Sequence, residues 1–336
     1  MARVAINGFG RIGRQVFKTM RTYYPDELEV VAVNDLTDNE TLAHLLKYDS
    51  NYGRYEADIS VTDSCIRVDD VELSVYSQRD WTQLPWAELG VDLVVESSSV
   101  GTDADRARAH LAAGAKKVVI SAPAKNEDIT LVYGVNEDLY DPEQHHIISN
   151  ASCTTNALAL VTKVLLESFG IVRGMVTTVH SYTNDQVILD APHKDLRRAR
   201  SAPTNMIPTT TGAARALGTV LPDAQGKLDM FALRVPTPTV SLIDFVAELE
   251  RDTTVEELNR CFQEVASGKL ERVMGYTEEP LVSGDFKEES RTTVIDGLST
   301  MVVGNRMAKV ISWYDNEWSY SVRLADVLAM IANRGL

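Results

Sequence analysis

A short apolar run, Val4-Ala5-Ile6, leads into Asn7-Gly8-Phe9-Gly10-Arg11-Ile12-Gly13, and the residues after it carry apolar side chains at Ile12, Val16 and Met20. Strand, Gly-x-Gly-x-x-Gly turn and helix in that order begin a βαβ unit, which commits the chain to a parallel sheet with crossover helices. Gly8, Gly10 and Gly13 permit a tight turn and a close backbone approach to a bound anion. The helix N-terminus behind them directs its unpaired N–H groups and positive dipole end to the same place. A pyrophosphate suits such a turn. A second strand run, Val30 to Val33, ends at Asn34-Asp35, and Asp35 lies 22 residues past Gly13, where a carboxylate can accept hydrogen bonds from a ribose.

The α/β alternation continues through a helical stretch at 41–47, a strand at 91–95, a helix at 103–113 and a strand at 117–121. A doubly wound sheet takes its ligand at the carboxyl ends of its strands, which nominates Ser97 to Ser99 and Ser121 as neighbours of the nucleotide. At 336 residues the chain is too long for one core and suits two domains, with the change of pattern near Ser152. A formal net charge of −15 argues against nucleic acid and anionic membranes as partners, so an anionic substrate needs a local basic site. The three cysteines, Cys65, Cys153 and Cys261, form no CxxC pair, which argues for a reducing compartment and against a disulfide framework or a metal site. No signal segment is expected ahead of the first strand and no run is long enough to span a bilayer, so the reading is a cytoplasmic protein.

Ser149-Asn150-Ala151-Ser152-Cys153-Thr154-Thr155-Asn156 precedes a run apolar almost all round, which predicts a buried helix ending at Gly170. Cys153 then sits at a helix N-terminus, where N–H groups and the dipole favour a thiolate and a developing oxyanion, so a lowered thiol pKa is expected. A β-branched run from Met175 to Val179 ends at His180, 27 residues after Cys153, and thiol plus imidazole is the usual pairing for an activated sulfur nucleophile. Cys65 and Cys261 read as packing residues. The polar stretch 182–204 is a long loop of the kind that is functional or packs against another subunit. Thr211 and Gly212, within Pro208-Thr209-Thr210-Thr211-Gly212, and Arg234 offer the hydroxyl, N–H and guanidinium groups that hold phosphate oxygens.

These segments, read together with VNDLTD, LLKYDS, SAPAKNEDI, HKDLRRAR, RVPTP and SWYDNEW, span the whole chain and resemble the phosphorylating glyceraldehyde-3-phosphate dehydrogenase family of the bacterial type. The resemblance implies an α/β protein with a Rossmann doubly wound NAD-binding domain over 1–152. It implies an α+β catalytic domain with a mixed or antiparallel sheet over 153–316, and a closing helix, 317–336, that packs back on the first domain. It implies Cys153 as nucleophile, His180 as base and Asn316 as anchor of the nicotinamide carboxamide. Arg11 and Ile12 resemble the pyrophosphate-binding pair, with Asp35 on the ribose and Arg79 and Ser121 beside the cofactor. Thr183 and Arg234 match the site for the substrate's phosphate, and Ser152, Thr154, Thr211 and Gly212 that for inorganic phosphate, with Arg198 assisting. The implied reaction takes glyceraldehyde 3-phosphate, inorganic phosphate and NAD to 1,3-bisphosphoglycerate and NADH through a Cys153 thioester, in a homotetramer.

The sequence departs from the family in three places. Ser97-Ser98-Ser99 stands where many members have Ser-Thr-Gly, Ala157 replaces a second cysteine, and Ala191 replaces a leucine usual in NAD-selective members. Two other readings share the Cys and the nucleotide fold: an erythrose-4-phosphate dehydrogenase, and a non-catalytic NAD-binding thiol sensor. Asp35 repels the 2′-phosphate of NADP; two charges about 4 Å apart at an effective dielectric near 20 interact by roughly 4 kcal/mol before screening, and a third of that is about tenfold. Ala191 makes room for that phosphate but supplies no charge. NAD is therefore expected as the main cofactor with residual NADP use, and Asp35→Ala should narrow the gap in kcat/KM; a wild-type preference for NADP would overturn the reading.

Overall fold

The computed structural model describes every residue from Met1 to Leu336. The opening motif folds as its pattern requires, with a strand at Ala2–Asn7, a helix at Arg11–Tyr23 and a parallel strand at Leu28–Asn34. Ala2–Asn7 lies between Leu28–Asn34 and Leu93–Glu96 in a nine-stranded sheet, so the chain leaves this strand to one side first and returns later to the other. That reversal opens a crevice at the carboxyl end of Ala2–Asn7, where the glycine turn stands. Lys117–Ile120, Ile147–Ser149 and Ile129–Thr130 extend the sheet in parallel, and Val71–Tyr76, Cys65–Val68 and Ile59–Val61 complete its other side.

A second sheet has seven strands in the order Ile207–Thr209, Leu228–Val235, Ile171–Ser181, Ser241–Leu249, Met307–Tyr314, Thr293–Val303 and Met274–Thr277. It is mixed: Ile171–Ser181 runs parallel to Leu228–Val235 and antiparallel to Ser241–Leu249. The helix Cys153–Phe169 packs on this sheet, with Leu158, Leu160, Val161 and Leu165 fully buried. The chain divides into one compact unit of Met1–Leu131, Glu137–Ser152 and Ser321–Leu336 and another of Val132–Asn136 and Cys153–Tyr320. Within the first unit the carboxyl-terminal helix is held by Thr19 Oγ1 donating to the Ser321 carbonyl at 3.2 Å, by Tyr140 OH donating to the Gly335 carbonyl at 3.0 Å, and by a hydrogen bond between Tyr24 and Asp326. The short insert joins the second unit through Lys163, whose Nζ donates to the carbonyls of Gly134 and Val135, each at 3.1 Å. No helix is long and apolar enough to cross a membrane.

The glycine turn rests on the end of the neighbouring strand. Gly8 has φ +91, and a Cβ there would lie 2.5 Å from Ser98 Cα. Ser97 Oγ donates to the Gly8 carbonyl at 2.7 Å. Beneath it the buried Glu96 carboxylate accepts from the Ser98 N–H at 2.8 Å, from Asn7 Nδ2 and from His110 Nε2 at 3.2 Å. Trp86 Nε1, which can only donate, reaches His110 Nδ1 at 3.1 Å, so the imidazole proton sits on Nε2 facing Glu96. A carboxylate met by this many donors is stable inside the sheet. The departure noted at position 99 now has a backbone meaning: Ser99 has φ 67, the left-handed region that glycine occupies without strain. Ser99→Gly should stabilise the protein by roughly 0.5–1 kcal/mol, read as a raised thermal midpoint; a lowered midpoint would show that the serine hydroxyl outweighs the strain.

Candidate active site

Cys153 is the first residue of the helix Cys153–Phe169, and the chain reaches it through Ala151, which has φ 53. A non-glycine residue in that region costs about 1 kcal/mol, and the kink turns the chain from the strand Ile147–Ser149 into the helix. No pattern in the sequence marks this strain. Gly170 ends the helix with φ +69, and a Cβ there would lie 2.5 Å from the Glu250 carboxylate, so glycine suits the reversal. The strand Ile171–Ser181 then returns along the sheet and brings His180 Nε2 to 3.6 Å from Cys153 Sγ.

Arg234 lies beside His180 on the parallel neighbouring strand, in direct register with it. Its Nη1 is 2.6 Å from His180 Nδ1 and donates to the Ser181 carbonyl at 3.0 Å, while His180 Nδ1 is also 2.7 Å from that carbonyl. The two contacts at Nδ1 compete for one proton. With the proton on Nδ1, bonded to the Ser181 carbonyl, Nε2 presents a lone pair to the sulfur and can accept its proton. With Nδ1 accepting from Arg234, the proton lies on Nε2 and the ring cannot act as a base toward sulfur. An anion drawing Arg234 away therefore favours the base form.

Charge and burial oppose each other at the sulfur. Burial pushes the Cys153 thiol up from its ordinary value, while Arg234, the Thr154 hydroxyl and the N–H groups of Thr154 and Cys153 pull it down, and burial prevails. This corrects the expected lowering, because burial desolvates the thiolate that the helix dipole favours. Burial, then the Arg234 charge, hold His180 down at about 3, so its imidazole is neutral near pH 7. Both shifts favour thiol beside neutral imidazole in the unliganded protein.

The buried Tyr314 hydroxyl lies 3.0 Å from Thr154 Oγ1 and 2.7 Å from Thr178 Oγ1, and its ring meets His180 edge to face. Tyr314 escaped the sequence reading, although Thr178 and His180, buried polar residues two apart on one strand, signal a site on that face. Asn316 Oδ1 accepts from Ser181 Oγ at 2.8 Å and Ser241 Oγ at 2.9 Å. Thr183, half-buried, follows the strand and accepts at its carbonyl from the Gln186 N–H at 2.9 Å. Arg198 pairs with Asp185 and Asp195 and donates to the Thr210 carbonyl at 3.1 Å. Thr211 Oγ1 accepts from the Ala213 N–H at 3.2 Å, and Gly212 precedes the helix Ala213–Val220. Hydrogen bonds thus gather Cys153, Thr154, His180, Arg234 and Asn316, whereas Arg198 is tied to acidic neighbours.

In the first unit, Gly10 precedes its helix with no side-chain cap, and a Cβ there would meet nothing within 4 Å. Arg11 and Ile12 open that helix half-buried, with Arg11 held by Asp49 at 3.2 Å. Asp35 accepts from the Phe9 N–H at 2.8 Å and the Thr37 N–H at 3.0 Å, so it braces the turn and keeps lone pairs for further donors. Ser121 is half-buried at the end of Lys117–Ile120, and Arg79 is exposed after Val71–Tyr76. An open cradle at a helix N-terminus with an acceptor at the next strand end fits a dinucleotide.

Comparison with known proteins agrees over the whole chain. The family model described as glyceraldehyde 3-phosphate dehydrogenase, NAD binding domain, matches residues 2–104, and that described as its C-terminal domain matches 152–316. The chain is 60% identical over 334 residues, 99% of each protein, to glyceraldehyde-3-phosphate dehydrogenase of Geobacillus stearothermophilus. It is 57% identical to glyceraldehyde-3-phosphate dehydrogenase 1 of Bacillus subtilis (strain 168) and 54% to glyceraldehyde-3-phosphate dehydrogenase of Streptomyces coelicolor (strain A3(2)), each over 99% of both chains.

The resting state makes a pH prediction. Alkylation of Cys153 in the unliganded protein should rise about tenfold per pH unit through neutrality and into the alkaline range, following thiolate alone. A plateau reached by about pH 6 to 7 would mark an imidazolium–thiolate pair and overturn the neutral assignment.

Proposed function

The chain belongs to the glyceraldehyde-3-phosphate dehydrogenase family, and we propose that it oxidises glyceraldehyde 3-phosphate with inorganic phosphate through a thioester on Cys153. The observation that carries this reading is the Cys153–His180 contact at a helix N-terminus, with Arg234 against the same imidazole. NAD, when bound, accepts the hydride. Cys153 attacks the aldehyde carbon as His180 Nε2 takes the thiol proton, and the N–H groups at the helix start stabilise the developing oxyanion. His180 hands that proton to the adduct's oxyanion and takes it back as the carbon is oxidised, leaving Cys153 acylated and the imidazole protonated. Thr183 and Arg234 hold the substrate's phosphate. Ser152, Thr154, Thr211 and Gly212, with Arg198, hold the inorganic phosphate that cleaves the thioester to an acyl phosphate. Asp185 and Asp195 must release Arg198 for it to take part.

In the same reading the unit of Met1–Leu131, Glu137–Ser152 and Ser321–Leu336 is the nucleotide domain, and the other unit carries the chemistry. Gly8, Gly10, Arg11, Ile12, Gly13, Asp35, Arg79 and Ser121 hold the dinucleotide, and Asn316 anchors its carboxamide. The assembly is a cytoplasmic homotetramer. Support for a covering copy comes from the outward face of the seven-stranded sheet, where Met175, Phe231, Met301 and Met307 are exposed, and from Ile188, Leu189 and Leu196 in the long loop.

Pure protein should form NADH only when glyceraldehyde 3-phosphate and phosphate are both present, and faster than with erythrose 4-phosphate; no aldehyde-dependent NADH would revive the thiol sensor. Cys153→Ser should abolish turnover, and His180→Asn should slow the first-turnover burst by roughly 10² to 10⁴. A burst at the wild-type rate removes His180 from the reaction. Arg234→Leu should cost about 2 kcal/mol or more in kcat/KM for the phosphorylated aldehyde; an equal loss with unphosphorylated glyceraldehyde would refute its phosphate role.

A further inference from the structure

The Arg198 guanidinium already holds anions of the chain itself. Its Nη1 donates to Asp185 Oδ2, its Nε lies 3.4 Å from Asp195 Oδ2, and its Nη2 donates to the Thr210 carbonyl at 3.1 Å. One cation thus meets two carboxylates, and the surplus charge beside it is negative. The Arg198 side chain is 18% exposed against 48% for Asp185, so the carboxylate can leave for water while the guanidinium stays. Asp195 is the weaker competitor, because its Oδ1 accepts from the Arg197 N–H at 2.9 Å and its Oδ2 stands farther from the guanidinium. The Gln186 N–H donates to the Thr183 carbonyl at 2.9 Å, which places Asp185 third in a four-residue turn that begins at Thr183. Charge on Asp185 also reaches Arg234. Burial above all pushes the Arg234 guanidinium down, charge on Cys153 and Tyr314 pulls it back up, Arg198 pushes it further down, and Asp185 opposes Arg198.

We propose that Asp185 is a resident anion at Arg198: it neutralises that guanidinium in the unliganded protein, has to be displaced before inorganic phosphate engages it, and so makes the site select a doubly charged oxyanion over a singly charged one. This rests on the functional reading above, in which Arg198 serves the attacking phosphate. A monoanion that replaces a carboxylate at a guanidinium exchanges one charge-assisted pair for an equal one and gains little. A dianion brings a second charge to the same cation. Asp185 therefore lowers the affinity for every anion and lowers it most usefully for the wrong ones, in a chain whose own charge gives no other means of sorting them.

Two variants of the full chain test this, with unfolding temperature showing each intact: Asp185→Asn keeps the shape and removes the charge, and Asp185→Ala removes the acceptor as well. In both, the KM for inorganic phosphate should fall about fivefold, the effect of one part-exposed ion pair. In an Arg198→Ala background the same change at Asp185 should leave that KM where it was, because the competition has lost its cation. A second readout needs no turnover. Phenylglyoxal labelling of Arg198, located by peptide mass, should run about threefold faster in Asp185→Asn than in the wild type. Sulfate should slow the labelling in both proteins, and nitrate in the variant alone. A phosphate KM that rises or stays unchanged in the variants overturns the proposal, since Asp185 then orients Arg198 or does nothing to it. Nitrate protecting wild-type Arg198 as well as sulfate does, or an equal fall in KM without Arg198, overturns it too. Sulfate-sensitive labelling that follows the expected pattern in a protein with no phosphate-dependent NADH formation would overturn the functional reading and leave the resident anion standing.

Discussion

The contact between Cys153 and His180 depends on the match in length between a helix and the strand that returns beside it. Cys153–Phe169 has 17 residues, about 25 Å at 1.5 Å each, and the strand from Ile171 to His180 covers about 30 Å at a strand's rise. Gly170 reverses the chain between them, so the start of the helix and the end of the strand meet. Strand periodicity then decides which side chain arrives: Thr178 and His180 point inward, and a slip of one residue would present Val179 to the sulfur.

Desolvation governs how that pair works. The same burial that aligns thiol and imidazole penalises the charged form of each, and Arg234 beside them raises the cost of an imidazolium further. Both shifts favour the proton on sulfur, and Arg234 and the Ser181 carbonyl compete over the tautomer of the imidazole. An anion that engages Arg234 changes this competition.

Backbone strain and buried hydrogen bonds hold the parts in place. Ala151 and Ser99 occupy the left-handed region at the ends of two parallel strands, one leading to Cys153 and the other supporting the glycine turn. Glu96, Asn7 and His110 form a partnered polar cluster under that turn, and Ser181 and Ser241 hold Asn316 through its Oδ1. Clusters of this kind set orientation, because a misdirected buried polar group forfeits its partner.

The sequence by itself determined the elements whose cause is local: the strand, glycine turn and helix at Gly8 to Gly13, the acceptor at Asp35, the helix from Cys153 to Gly170 and the strand ending at His180. Periodicity and turn chemistry act over a few residues, so they can be read directly. Tertiary structure alone decided that the thiol pKa moves up rather than down, because burial depends on the sheet beneath the helix. It also decided that Tyr314 joins Thr154 and Thr178 beside His180, that Ser181 and Ser241 donate to Asn316 Oδ1, and that Asp185 and Asp195 hold Arg198. These outcomes depend on which side chains from distant strands share one dielectric and one set of hydrogen-bond partners, and no spacing along the chain encodes that.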